Sequence, residues 1–178
     1  MGNGWQTICL SFDDTNIGFL ASYVGDCPLS SLITLVAGID VEIQDGELPI
    51  KRHIEWFQEP GAMQLLVESD GMIDNITIKR TSQDLLGFDF SVDEMENPDE
   101  IFHFQVHHEA LRNAVMAEAT RMLKEFGLSG YNDNWNDGLD NFPVCAFLQL
   151  LGNNSVCVDD DAYYSNLSDE INLLKSIL

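Results

Sequence analysis

The chain has 178 residues, of which 45% are hydrophobic, so it can bury an apolar core and is not a disordered acidic tail. Thirty acidic residues face eight basic ones, and the resulting net charge of −22 repels nucleic acid and anionic membrane surfaces. No apolar run reaches the roughly 18 residues that a membrane-spanning helix requires. We therefore expect a single domain over residues 1–178 that binds neither nucleic acid nor membrane.

The N-terminus and the cysteines indicate a cytoplasmic protein. Residues 1–4 carry no basic flank ahead of a long apolar stretch, so they do not form a secretion signal. The four cysteines are far apart and make no Cys-x-x-Cys pair, which is typical of reduced, mostly buried thiols; a disulfide is the alternative. They are Cys9, Cys27, Cys145 and Cys157.

The N-terminal part of the chain predicts one strand and two helices. Weak alternation over residues 5–12 indicates a strand. The polar run over residues 13–16 can cap a short helix that continues to Val24. A second helix is expected to start near Pro28, which suits a first turn, and to end at Gly38.

Alternating apolar residues around two Asp-Gly pairs predict two β-hairpins. The pairs are Asp45-Gly46 and Asp70-Gly71, and both favour the tight turns that join antiparallel strands. Asn75 interrupts the alternation of the second hairpin, so we expect a bulge there. Further strands are predicted at residues 86–90 and 102–106, on either side of an acidic loop over residues 93–100.

The strongest signal in the sequence is an amphipathic helix from His107 to Phe126. Gly127 follows it and is expected to adopt the left-handed conformation common after a helix end. The apolar stripe repeats every 3.6 residues. It consists of Leu111, Val115, Ala119, Met122, Leu123 and Phe126.

The C-terminal part predicts a buried strand at residues 144–151, a short strand at residues 156–158 and a last helix capped by Ser168. The predicted strands follow one another without long helical crossovers, so the sheet should be mainly antiparallel. The whole pattern predicts an α+β fold in which an antiparallel sheet carries one long helix and shorter helices.

No stretch of the sequence carries a complete catalytic or metal-binding motif. His103, His107 and His108 form the histidine cluster, and a metal ion held by them is an open alternative to a polar helix start. A calcium loop that begins at Asp133 would place Trp135 and Val144 at two ligand positions, and neither side chain is a calcium ligand, so the pattern fails there. Paired carboxylates can serve acid–base catalysis, but their spacing here singles out no pair. The sequence therefore assigns no catalytic residue, metal ligand or cofactor.

The segment after the long helix combines aromatic and acidic residues in a predicted loop over residues 130–140. Tyr and Trp are residue types that anchor protein interfaces, and carboxylates beside them attract a cationic partner. The alternative is a surface turn whose Trp packs into the core. The predicted partner-binding residues are Tyr131, Asp133, Trp135, Asp137 and Asp140.

The same region resembles the barstar pattern over residues 107–150. The matching features are a helix, then Leu128, Tyr131, Asn134, Trp135 and Asp140, then the apolar segment from Val144. In barstar-like proteins this segment plugs the active site of a bacterial ribonuclease. The chain differs from the family in being much longer and in carrying Asn136 where an acidic residue is expected. The resemblance implies a toxin-immunity protein.

We therefore expect an acidic, non-enzymatic immunity or inhibitor protein of the bacterial cytoplasm that binds and neutralises a basic toxin, with a nuclease as the favoured toxin. The alternatives are a small acidic enzyme with a carboxylate-based site and a structural or adaptor module. The sequence names neither the partner nor the oligomeric state.

Overall fold

The computed structural model describes residues 5–22, 27–58, 61–82, 98–134, 142–152, 157–159, 162–164 and 166–177. Its strands are β1 (Trp5–Phe12), β2 (Thr15–Ser22), β3 (Ile50–Phe57), β4 (Ala62–Ser69), β5 (Ile73–Thr81), β6 (Glu100–His107), β7 (Cys157–Asp159) and β8 (Ala162–Tyr164). Its helices are α1 (Pro28–Asp45), α2 (His108–Asn134), α3 (Val144–Leu150) and α4 (Leu167–Ile177).

The fold is α+β with antiparallel sheets and one long helix, as the sequence predicted. Strands β3, β4, β5 and β6 form one sheet in that order, while β1–β2 and β7–β8 form separate hairpins. Every pairing is between strands adjacent in sequence and antiparallel. Among the described residues, no helix combines the length and apolar content that crossing a bilayer demands.

The four-stranded sheet has one core face and one polar face. On the core face, residues such as Leu65 and Ile78 lie opposite each other and join a cluster with α1, α2 and α3. On the polar face, directly opposed side chains bond across the strands. These pairs are Lys51–Glu68 at 3.0 Å, Thr77–His103 at 3.1 Å and Asn75–Gln105 at 3.1 Å.

Residues 15–22 form strand β2, so the predicted helix over residues 17–24 is wrong. Ile17, Phe19 and Ala21 are 3%, 3% and 1% exposed and alternate with exposed neighbours, which is the period of a strand with one buried face. The turn before β2 places Asp13 at a φ of 48°, a left-handed conformation that Asp tolerates. The acidic pair expected to cap a helix therefore closes a hairpin.

Helix α1 continues through Gly38 to Asp45, so the first predicted hairpin is wrong. Gly46 has a φ of 77°, and its N–H donates to the carbonyl of Ile43 while the N–H of Glu47 donates to that of Glu42. These two bonds form the Schellman motif that ends many helices. Asp-Gly fits a tight hairpin turn and this helix end alike, because both need a positive φ.

Gly38 lies inside α1, where its missing side chain makes room for an arginine. A Cβ at Gly38 would lie 2.7 Å from the guanidinium carbon of Arg52 on β3. The same guanidinium donates to Glu42, one turn further along α1, over 2.6 Å. The glycine thus lets a strand side chain lie flat against the helix.

The second predicted hairpin is confirmed as β4 and β5. Asp70 and Ile73 flank a turn of Gly71 and Met72, and Gly71 has a φ of 90°. Asn75 lies in unbroken register opposite Glu68 and Gln105, so the predicted bulge is wrong. The inward positions of β5 are 74, 76 and 78, which means that an aspartate occupies a core position.

Helix α2 buries the predicted stripe, with Val115, Ala119 and Met122 at 6%, 0% and 2% exposed. Gly127 interrupts its geometry with a positive φ of 67°, as predicted, but its ψ of 175° lies outside the left-handed helical conformation expected there. Helical structure then resumes to Asn134, so residues 130–134 are not a loop. The rest of the predicted loop, residues 135–140, lies outside the described residues, as do the strand at 86–90 and residues 93–97 of the acidic loop.

Residues 144–150 form helix α3, so the predicted strand there is wrong. A short apolar run can be a buried helix or a buried strand, and after Val144 this run contains no β-branched residue. A strand at Cys157–Asp159 overlaps the strand predicted at residues 156–158, and it pairs with β8. The last helix is confirmed as α4, although Asn166 caps it, accepting the N–H of Ser168 over 2.9 Å.

Candidate functional site

Four charged side chains form a chain of contacts between the sheet and two helices. His108, the first residue of α2, has Nδ1 2.9 Å from Asp74 Oδ2 on β5 and Nε2 2.8 Å from Asp40 Oδ1 on α1. Arg112, one turn along α2, lies 2.9 Å from the other oxygen of Asp40. Arg112 also donates to the carbonyl of Leu150 at the end of α3. The charges alternate along this chain, so two cations neutralise two carboxylates.

The imidazole of His108 is a cation in this setting and cannot act as a general base. Hydrogen bonds to Asp40 and Asp74 raise the pKa of His108 to about 9, against the opposing effect of burial. Both ring nitrogens therefore carry protons at neutral pH and both donate to carboxylates. A base needs a free lone pair within reach of a substrate proton, and His108 offers none. The cluster stabilises the fold by joining β5, α1, α2 and α3.

Sequence reasoning did not identify Asp74 and Asp40 as partners of His108. Asp74 is 0% exposed, and an isolated carboxylate at that position would be very costly. Its inward place between core positions of β5 was the available signal, because a buried aspartate requires a buried donor. Asp74 Oδ1 has no hydrogen-bond partner within the described part of the chain.

Tyr131, the first of the predicted partner-binding residues, is buried at 4% exposure, so the expected surface position is wrong for this residue. Its hydroxyl lies 2.9 Å from Ser30 Oγ and also contacts the thiol of Cys27, both at the start of α1. Its ring meets Phe142 edge to face at 5.3 Å. Tyr131 therefore anchors the end of α2 to α1 and to the residues before α3.

The other four predicted partner-binding residues follow Tyr131 in the chain. The backbone of Asp133 belongs to α2. Its side chain is not among the described groups, and Trp135, Asp137 and Asp140 lie outside the described residues. A hydrogen bond of 2.9 Å from Phe142 N to Asn132 Oδ1 joins the residues that flank this segment. Partner binding by these residues stays a prediction.

The predicted histidine cluster is divided between the polar face of the sheet and the buried interior. His103 and His107 are exposed, and both side chains lie on the polar face of β6. His108 turns inward to Asp74 and Asp40. Within the described ranges, no three His, Cys, Asp or Glu side chains are grouped so that they could hold a metal ion.

Cys9 and Cys145 are free thiols, and the thiol of Cys27 contacts the hydroxyl of Tyr131. Cys27 is buried, and burial raises the pKa of its thiol, which keeps it protonated and unreactive. Cys9 and Cys145 are exposed, so the expectation of mostly buried cysteines is wrong for these two.

The basic residues of the chain are largely neutralised by its own carboxylates. All eight Lys and Arg residues lie in the described part, and five of them form ion pairs. The pairs are Lys51–Glu68, Arg52–Glu42, Arg80–Glu100, Arg112–Asp40, and Arg121 with Glu118 and Glu125. Few cations are left to offset the remaining carboxylates, so the outward field of the protein is strongly negative.

One end of the molecule combines exposed carboxylates with exposed apolar side chains. We call it the acidic tip and define it as Asp45, Glu47, Leu48, Asp70 and Met72. Met72 is 72% exposed and Leu48 is 49% exposed. Leu48 packs beside the turn, since its methyl groups lie 3.5 Å from a Cβ built at Gly71.

The carboxylates of the acidic tip are available to a partner. Asp45, Glu47 and Asp70 are exposed, and none of them forms an ion pair with a described residue. The backbone N–H groups of Ile73 and Met72 donate to Asp70 and lower the pKa of its carboxyl. Asp70 is therefore ionised and held in place beside Met72.

Comparisons of the chain with family models, with curated proteins and with solved structures found no match. The surface charge and the acidic tip are therefore the observations from which a function can be proposed.

Proposed function

We propose that the protein is a non-enzymatic inhibitor of the immunity type, which acts in the cytoplasm by binding a basic toxin domain that cleaves nucleic acid. The observation that carries this proposal is the internal pairing of the cations. A chain with a net charge of −22 that also holds most of its Lys and Arg in its own ion pairs presents carboxylates to its surroundings. Such a surface is complementary to a protein that binds phosphates.

The mechanism of inhibition follows from the chemistry of a nuclease site. Arg, Lys and His side chains that hold a phosphate bind a carboxylate in the same place. An inhibitor that presents fixed carboxylates therefore occupies the electrostatic position of the substrate. Asp70 is fixed in this sense by its two backbone hydrogen bonds, and Asp45 and Glu47 lie on the same tip.

Exposed apolar side chains add the second component of a stable interface. Protein interfaces centre on buried apolar anchors surrounded by a polar rim, and Met is enriched among the residues that form them. Met72 and Leu48 have this position among the carboxylates of the acidic tip. We therefore place the main contact at the acidic tip, and the barstar-like residues Asp133 to Asp140 stay the competing prediction.

The test takes the protein encoded directly upstream of this chain, measures whether it cleaves labelled RNA or DNA, and adds increasing amounts of the purified 178-residue protein. We expect cleavage to fall in proportion and to stop near one molecule of inhibitor per nuclease. An unrelated protein of similar net charge is the control and should inhibit only weakly, and only at low salt. Undiminished cleavage at a tenfold excess, or equal inhibition by the control, contradicts the proposal.

A further inference from the structure

Strand β1 has an edge that no strand of the described residues covers. β2 pairs with β1 along its whole length, from Trp5 opposite Ser22 to Phe12 opposite Thr15, and the two form a sheet of their own. In an antiparallel pair, alternate residues turn their N–H and C=O groups away from the partner strand. β1 therefore presents a row of backbone donors and acceptors along an edge eight residues long.

An apolar groove of about 720 Å³ runs along this edge. Its first wall is formed by consecutive residues from Gln6 to Asp13, as expected where a strand is approached from its edge and not from one face. Its second wall is α2, and its floor includes Leu65, Ile76 and Val106 of the main sheet. The volume falls in the range of roughly 300–1,000 Å³ that is typical of ligand sites.

The two strands of the hairpin differ in burial, although their apolar residues face the same way. Ile17 and Phe19 on β2 are each 3% exposed. Leu10 and Ile8, directly opposite them on β1, are only half-buried. The apolar face of β1 is therefore incompletely covered by the described part of the chain, beside the open backbone edge.

We propose that the groove takes up one extended peptide segment of a second protein, which pairs with β1 as an added strand. This mode of recognition gives affinity through backbone hydrogen bonds and specificity through alternate side chains. The side chains that turn into the groove should be apolar, because Ile8, Leu10 and Leu111 line it. A cationic residue should lie near Asp13, which is exposed at the end of β1 and has no ion pair among the described residues.

A second copy of this chain suits the groove less well than a single foreign strand. Two copies each carry a net charge of −22 and repel one another. Pairing of two β1 edges would also bring a second α2 against a groove that already has α2 as one wall. A small apolar ligand would leave the backbone groups of the edge without partners, whereas a peptide strand satisfies them.

The probe for this proposal is a synthetic peptide with alternating Val and Thr and a Lys at each end, titrated into the full-length protein. Amide chemical shifts measured by NMR should change along β1 and the facing side of α2, with one peptide bound per chain. Ala114→Trp should weaken binding at least tenfold, because this exposed alanine lines the groove and a large ring would fill it. Ala117→Trp is the matched control, since Ala117 is exposed on the same helix but does not line the groove, and it should bind like the wild type.

Peptides that are N-methylated at alternate residues test the added strand directly. The peptide's apolar side chains must face the groove, and this fixes which alternate N–H groups point towards β1. Methylation of those N–H groups should abolish binding, while methylation of the N–H groups that point away from β1 should not. Absence of shifts in β1 at millimolar peptide overturns the proposal, as does equal affinity of the Ala114→Trp and Ala117→Trp proteins. If light scattering shows that the protein is a dimer and that the peptide dissociates it, the proposal is also overturned, because a second copy of the chain then occupies the groove. The probe is independent of toxin inhibition, so failure of the proposed function leaves this result unaffected.

Discussion

His108 at the start of α2 donates from Nδ1 to the fully buried carboxylate of Asp74 on β5, over 2.9 Å. The other ring nitrogen donates to Asp40, so a single imidazolium joins the sheet to two helices. Breaking a buried pair by removing one partner leaves an uncompensated charge, which typically costs about 3–5 kcal/mol. His108 is therefore expected to make the stability of the protein depend on pH.

The free energy of unfolding should fall as the pH rises from neutrality. The pKa of His108 is raised in the folded state from 6.5 to about 9, so its stabilisation is complete below pH 6.5 and is lost as the pH passes through about 9. At about 1.4 kcal/mol per pKa unit, the loss amounts to roughly 3 kcal/mol. Urea unfolding at a series of pH values between 6 and 10 measures it.

Two variants show whether His108 causes that pH dependence. His108→Gln should lower the free energy of unfolding at pH 6.5 and remove most of its decline above pH 7. His53→Gln is the control, because His53 is exposed on the polar face of the sheet. A pH dependence that survives in the His108→Gln protein would show that another group is responsible.

Elements whose apolar residues fit only one period could be predicted from the sequence. The segment of β2, whose apolar residues fit a helix and a strand alike, and the features that depend on distant partners could not. The apolar stripe of α2 fits only the helical period, and the alternation of β4 and β5 fits only the strand period, so all three elements were predicted correctly. Gly46 supplies a positive φ that a hairpin turn and a helix end need equally, and the role of Gly38 inside α1 is visible only in its contact with Arg52. Likewise, nothing adjacent to Asp74 in sequence indicates His108, because tertiary packing brings the two together.

Tyr131→Phe should lower stability by roughly 1–2 kcal/mol, since the substitution leaves a buried polar group of Ser30 or Cys27 without its hydroxyl partner. The shift in the urea midpoint at constant slope measures the effect. If stability is unchanged and partner binding weakens, Tyr131 is an exposed interface residue, as the sequence first suggested. Tyr131 would then again be a candidate for the aromatic residue that anchors the predicted partner-binding site.

Leu123→Ala should cost roughly 2–5 kcal/mol, because Leu123 is 9% exposed in the apolar stripe of α2 and its truncation leaves a cavity. Leu128→Ala is a matched control on the same helix, where the side chain is 39% exposed. Its cost should stay below about 1 kcal/mol. Equal costs for the two substitutions would mean that the orientation of α2 is wrong.

Association with a basic toxin domain should be fast at low salt and should slow steeply as salt is added. The net charge of −22 steers a cationic partner over distances of about a Debye length, which falls from roughly 30 Å at 0.01 M to 3 Å at 1 M salt. The association rate in stopped flow should fall at least tenfold over that interval, with a much smaller change in dissociation rate. A rate independent of salt removes electrostatic steering from the proposed function.

The acidic tip lies at one end of α1, and Tyr131, the first residue of the sequence-predicted site, lies at the other end. The hydroxyl of Tyr131 contacts Ser30 in the first turn of this 18-residue helix, while Asp45 is its last residue. At 1.5 Å per residue, the two ends are roughly 27 Å apart. Charges of the acidic tip can therefore be removed without direct effect on Tyr131.

Two double variants remove the same number of charges, one from each site. Asp45→Ala with Glu47→Ala should weaken toxin binding at least tenfold, mainly through faster dissociation, because carboxylates that contact desolvated cations contribute several kcal/mol. Asp137→Ala with Asp140→Ala should weaken it less, since the predicted anchor of that segment, Tyr131, is buried in the core. Both proteins should unfold near the wild-type temperature. A larger loss of affinity for the second variant would mean that the barstar-like segment is the binding site. Equal small losses would mean that neither site is the main contact and that the charge of the whole surface attracts the toxin.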